Sequence, residues 1–129
     1  MTTTPLADLA GRPCPIAAAM EVVGERWALL VIREIALGAT RFSAIVAGTG
    51  APRDRIAARL KTLEAAGVIA RTTYQDHPPR HEYGLTDAGR DLLPVLDALL
   101  EWGAHHAVAA DDPLRPRRYR RFVQSGETR

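Results

Sequence analysis

The sequence predicts a mainly α-helical protein carrying one small β-hairpin, and three observations lead there. Apolar residues recur at helical spacing in several separate stretches, glycines punctuate those stretches, and one region alternates with β-favouring residues. The 129 residues give room for one compact domain with a modest core and an arm at either end.

In chain order, Ile16, Ala19, Met20 and Val23 form a helical stripe that Gly24 interrupts, giving a short first helix. The next stretch, from Glu25 or Arg26 to Leu37, is apolar around most of its circumference. That pattern marks a helix packed on more than one side and stopped at Gly38. Phe42, Ile45 and Val46 belong to a short third helix over 41–46, with Thr40 as its candidate N-cap. Gly48 and Gly50 permit a sharp reversal before a fourth helix, Pro52 to Ala66, in whose first turn the missing proline N–H costs nothing. Ile56, Leu60 and Leu63, at spacings of four and three, form its buried stripe. The opposite arc carries Asp54, Arg55, Lys61 and Thr62, with Arg53 and Arg59 on the flanks.

Gly67 ends that helix. VIARTTY (68–74) and HEYGL (81–85) read as the strands of a hairpin with a long polar tip over 75–80, where Pro78 and Pro79 stop both strands. Thr86 is the candidate cap of the last helix, Asp87 to about Val108. Its apolar band is Leu92, Val95, Leu96, Leu99, Leu100 and Trp102, and Pro94 should kink it. From Asp111 the chain is arginine-rich and reads as loose. The expected organisation is an N-terminal arm over 1–13, a domain with its terminal helices over 14–108, and a basic tail over 109–129.

Seventeen basic residues against fifteen acidic ones leave only +2, so the placement of charge says more than its sum. Residues 41–81 hold seven basic residues (Arg41, Arg53, Arg55, Arg59, Lys61, Arg71, Arg80) and three acidic ones (Asp54, Glu64, Asp76), a local +4. Residues 82–110 hold one arginine against five acids, a local −4. A cationic face for phosphates and an acidic element for protein contacts follow.

No apolar run approaches the roughly 20 residues of a membrane span. The first residues lack the cationic start and apolar core of a secretory signal. A cytoplasmic protein with no membrane partner is the expectation. There is no phosphate loop, Ser-centred elbow or HExxH, so an enzyme and a bound cofactor are not expected. His105 and His106 point about 100° apart on a helix, so no metal site is expected there.

Helix, helix, tight glycine turn, helix with an exposed basic face, then a hairpin with a basic tip is the winged helix-turn-helix plan, and double-stranded DNA is the partner it fits. The helix beginning at Pro52 enters the major groove. Arg53 and Arg55 are the candidates for reading guanine edges, and Asp54 can accept from a cytosine amino group. Arg59, Lys61 and Thr62 are assigned to phosphate. Arg41, before the third helix, and Arg80 on the wing position the duplex, together with His77 and His81. Winged-helix folds also serve protein contacts, so an adaptor that binds no DNA is the alternative.

The stretches CPI (14–16), GERWALLVIREIALGATRF (24–42), RLKTLEAAGVI (59–69) and PPRHEYGLTDAGRDLLPVLDALLEWG (78–103) resemble the HxlR-type, MarR-like family of winged-helix transcriptional regulators. The resemblance implies a homodimer built from N- and C-terminal helices. It also implies a palindromic or near-palindromic operator and repression or activation of neighbouring genes. At Gly50-Ala51-Pro52 the chain departs from the family, which commonly has a Ser before the Pro to cap the recognition helix, and the arginine-rich tail lies outside the resemblance. Dimerisation also follows from the residues, because a terminal helix so widely apolar cannot satisfy itself on a small core. Leu99 and Trp102, with Ile16 and Met20 opposite, are the candidate seam.

Cys14 is the single cysteine, so a disulfide must join two molecules or a small thiol. The resemblance implies a thiol sensor at this N-terminal Cys-Pro position. An inert buried thiol and a ligand held in an apolar pocket between dimer helices are the alternatives, so the effector is an oxidant or a small molecule.

Overall fold

The computed structural model describes residues 3–114 and 119–123. The chain divides into two compact units, Met1–Gly89 and Arg90–Arg129, a boundary that falls inside the span expected to form one domain. In the first unit a short 3-10 turn, Leu6–Asp8, precedes α1 (Pro15–Val23), α2 (Ala28–Ala36), α3 (Phe42–Thr49), α4 (Arg53–Ala65), β1 (Ile69–Asp76) and β2 (Pro79–Leu85). The four-residue helix α5 (Asp87–Arg90) straddles the division, and α6 (Leu93–His106) belongs to the second unit. Helices dominate, and the two strands form one antiparallel hairpin.

The core of the first unit is laid down by α2. Ala28, Val31, Ile32 and Ile35 recur at helical spacing and are all buried. Around them α1, α3, α4, the link after α4 and β1 contribute Val23, Ile45, Ile56, Leu60, Leu63, Val68 and Ile69. Each fully buried aliphatic side chain stabilises the fold by about 1.5–3 kcal/mol. The helix begins at Ala28, later than its apolar pattern implies. The Glu25 carboxylate accepts a hydrogen bond from the Trp27 N–H at 2.8 Å and holds residues 25–27 as a turn.

Two helix starts differ from expectation by one residue. Thr40 does not cap α3, because Arg41 occupies the N-cap position in an extended conformation (φ −102°, ψ 151°) and makes no side-chain cap. The Thr40 carbonyl instead accepts from the Tyr83 N–H at 2.8 Å, which ties the segment before α3 to the hairpin. The helix then runs through Thr49 and stops at Gly50, whose φ of 71° lies in the left-handed region. Pro52 is the N-cap of α4 and not its first helical residue. Its ψ of 143° is extended, its carbonyl accepts from the N–H groups of Arg55 (3.1 Å) and Ile56 (3.2 Å), and no side chain caps the helix. The missing serine before Pro52 is thus matched by a start stabilised through backbone alone.

The hairpin tip is shorter than the predicted loop. The strands pair from Ile69↔Leu85 to Asp76↔Pro79, leaving His77-Pro78 as the turn, with a cis peptide between them. Pro79 stands within a strand because a two-stranded ribbon leaves an outer edge where no donor is needed. Gln75 closes the turn by donating from Nε2 to the carbonyls of His77 (3.3 Å) and Pro78 (3.2 Å). A register shift between Thr73 and Gln75 leaves Tyr74 without a cross-strand partner.

Thr86 caps α5 as expected. Its hydroxyl accepts from the Gly89 N–H at 3.2 Å and donates to the Gly67 carbonyl at 2.6 Å, joining the end of α4 to the start of α5. A Cβ at Gly89 would collide with the Val68 carbonyl oxygen, so only glycine fits this approach. The expected single helix with a kink is two helices. Pro94 cannot donate to the carbonyl four residues earlier and its ring crowds it, so α5 ends at Arg90 and α6 restarts with Pro94 in its first turn.

In the second unit the Asp97 carboxylate, 4% exposed, accepts from the backbone N–H groups of Phe122 (2.7 Å) and Val123 (2.9 Å). This part of the tail is therefore tied down and not loose. Arg115, Arg117 and Arg118 and residues 124–129 lie outside the described residues. Among the described residues no helix is long and apolar enough to cross a membrane.

Candidate nucleic-acid interface

By turning Ile56, Leu60 and Leu63 inward, α4 leaves Arg53, Asp54, Arg55, Lys61 and Thr62 exposed on its outer side. Arg53 and Arg55 stand in the first turn, where backbone N–H groups lack helical partners and the helix dipole favours anions. Neither they nor Lys61 and Arg80 have a carboxylate partner among the described residues. The Arg53 guanidinium lies 4.8 Å from the centroid of the Phe42 ring. The Thr62 hydroxyl already donates to the Ala58 carbonyl at 3.0 Å, so it can offer a phosphate no proton while that bond stands.

Arg59 is placed differently from its neighbours. It is half-buried, and its Nε lies 3.4 Å from Glu25 Oε2 on the turn before α2. A phosphate contact by Arg59 therefore requires exchange of that carboxylate.

The hairpin carries the remaining predicted residues. His77 and Arg80 are exposed at its tip, and His81 is half-buried with Nδ1 3.2 Å from Thr73 Oγ1. Arg41 stacks over Tyr74, 4.1 Å from its centroid, and its Nε is 3.2 Å from Glu82 Oε1. This ion pair is solvent-exposed and contributes about 0–1 kcal/mol, so its value is orientation more than stability. Phe42, Tyr74 and Glu82 were not singled out from the sequence. The alternation of β1 gave Tyr74 no special face, and the bulge that re-aims it leaves no pattern in residue spacing.

Cys14 is the N-cap of α1, half-buried, with Sγ accepting from the Ala17 N–H at 3.5 Å. The four seam candidates all present apolar surface: Ile16 is 74% exposed and Met20 51% on α1, Leu99 48% and Trp102 60% on α6. Among the described residues no group of three His, Cys, Asp or Glu side chains is placed to hold a metal ion.

Residues 22–111 match the HxlR-like helix-turn-helix family. The HTH-type transcriptional regulator Rv3095 of Mycobacterium tuberculosis is 41% identical over 95 residues, 74% of this chain and 60% of that protein, so the match spans less than two thirds of this relative. The crystal structure of the HTH-type transcriptional regulator ytcD is similar at 34% identity and a TM-score of 0.67, over 73% of this chain and 97% of that one. The redox regulator HypR in its reduced form is similar at 28% identity and a TM-score of 0.67, over 73% of this chain and 94% of that one.

Proposed function

The chain belongs to the HxlR-like helix-turn-helix family of transcriptional regulators, and on that premise we propose that it is a cytoplasmic regulator binding a palindromic operator as a homodimer. The observation that carries this reading is the outer side of α4. Arg53 and Arg55 are exposed in its first turn with no carboxylate partner among the described residues. A helix of this kind fits a major groove of B-form DNA, where an arginine fork matches the O6 and N7 edge of guanine. In this reading Arg53 and Arg55 read bases, Asp54 accepts from cytosine, and Lys61 with Arg41, Arg80, His77 and His81 holds the backbone. Arg59 and Thr62, both engaged within the protein, contribute less.

The exposed apolar faces of α1 and α6 are covered by a second copy through Ile16, Met20, Leu99 and Trp102. A twofold dimer places two recognition helices on two half-sites, which is why the operator is expected to be palindromic. Control is exerted by an oxidant acting on Cys14 or by a small ligand. The HypR likeness favours the first, since that protein is a redox regulator seen in reduced and oxidised forms. Selection of bound fragments from the host genome tests the reading. Recovery of fragments sharing an inverted repeat supports it, and recovery of none favours a protein-binding adaptor.

A further inference from the structure

The start of α3, the first turn of α4 and the tip half of the hairpin border an open cleft of about 360 Å³, lined among others by Arg41, Arg53, Arg80, Phe42, Ser43 and Tyr74. We infer that this cleft seats one phosphodiester group of duplex DNA, gripped by Arg41 and Arg53 on aromatic supports, which moves Arg53 from base reading to the backbone and leaves Arg55 as the base-reading arginine of the first turn. The inference rests on the DNA-binding reading above and names the contact that would fix the register of that binding.

Charge is the first ground. Among the described residues three arginines and no carboxylate line the cleft, so it favours an anion. Preorganisation is the second. The Arg41 guanidinium carbon lies over the Tyr74 ring, 4.1 Å from its centroid, and that of Arg53 over the Phe42 ring at 4.8 Å, so both heads rest on an aromatic face before any ligand arrives. A stacked guanidinium loses less freedom on forming hydrogen bonds than a free one. Glu82 acts as a positioning residue, because it engages Arg41 through Nε at 3.2 Å and leaves the terminal nitrogens free to donate. The hydrogen bond from the Tyr83 N–H to the Thr40 carbonyl, at 2.8 Å, fixes the hairpin against the segment that carries Arg41. Ser43 and the first turn of α3, which has no side-chain cap, add donors at the same wall.

Topology supplies the third ground. A helix in the major groove and a wing in the neighbouring minor groove are separated by one sugar-phosphate strand, and this cleft lies between the first turn of α4 and the hairpin. A phosphodiester passing there would meet two guanidinium groups already resting on aromatic rings.

The test follows the Arg41 and Arg53 Nε–Hε resonances of the full chain by NMR. The protein is titrated with a mixed-sequence DNA duplex and, separately, with inorganic phosphate at matched ionic strength. Both resonances are expected to shift saturably with duplex and not with phosphate. In binding assays Arg41→Gln should make the slope of log affinity against log salt shallower by about 0.9, the loss of one phosphate contact. Tyr74→Leu keeps every charge yet should weaken binding severalfold, with the remaining amide spectrum unchanged. Glu82→Gln, which keeps an acceptor for Nε, should bind at least as tightly as wild type, and Glu82→Ala more weakly.

Duplex binding with unmoved arginine resonances and an unchanged slope in Arg41→Gln would overturn the seat while leaving the DNA-binding reading intact. Failure of the wild type to bind duplex would sink that reading and the seat as a DNA contact. The phosphate titration would then show whether the cleft takes a free phosphate instead.

Discussion

Arg59 on α4 is held by Glu25, at 3.4 Å, on the turn that starts the core helix α2. One basic residue of the predicted binding face is therefore spent within the protein, while Arg53 and Arg55 on the same helix are not. The same Glu25 carboxylate also accepts from the Trp27 N–H, so it serves both the turn and the ion pair.

Glu25→Gln retains an acceptor for the Trp27 N–H and removes the charge that holds Arg59. Affinity for duplex DNA is expected to rise, and the log–log salt slope to steepen by up to about 0.9, as one more cation becomes free to displace a counterion. Fluorescence anisotropy over a salt series reads both quantities. An unchanged slope would show that Arg59 stays out of reach of DNA even when released.

Asp97→Ala leaves two backbone N–H groups of the tail without their acceptor. Loss of a buried partner of this kind costs about 1–3 kcal/mol. A lowered thermal midpoint and faster amide exchange at Phe122 and Val123 are expected. Asp97→Asn keeps one carbonyl acceptor and should fall between Ala and wild type. Exchange rates identical to wild type at both amides in the Ala variant would contradict the clamp.

The elements were legible wherever local spacing alone determines them. Ile56, Leu60 and Leu63 recur at four and three, and all three are buried. Gly50 and Gly67 carry the positive φ that ends α3 and follows α4. Tertiary partners were not legible in this way. Arg59 and Glu25 are far apart in the chain, and so are Asp97 and Phe122; nothing in helical periodicity distinguishes a solvated charge from one that closes a nonlocal contact. Pro94 announced an interruption, but whether a proline bends a helix or splits it depends on what packs on either side. Tyr74 escaped notice because a bulge changes a strand's register without changing its composition.

Trp102→Glu places a charge on the exposed apolar face of α6 where a second copy is proposed to pack. A shift from dimer to monomer in sedimentation equilibrium is expected, with retained helical circular dichroism. Ile16→Glu on α1 should act in the same direction. A dimer persisting in both variants would exclude these faces as the seam.

Cys14→Ser separates a thiol switch from a ligand switch. Mild oxidant is expected to lower the operator affinity of the wild type and to leave the variant unchanged, since no second cysteine exists in the chain. An equal response in both proteins would assign the oxidant effect elsewhere, and insensitivity of both would leave a small ligand as the effector.

The central claim, that the exposed cationic side of α4 meets DNA, is tested most directly by the salt dependence of duplex binding in wild type and in the Arg53→Ala/Arg55→Ala double variant. The wild type should show log affinity falling steeply and linearly with log salt. The double variant should lose about 1–3 kcal/mol of base discrimination with Arg55 and show a shallower salt slope with Arg53, while remaining folded. Equal operator affinity and preference in the two proteins across the salt series would contradict the account.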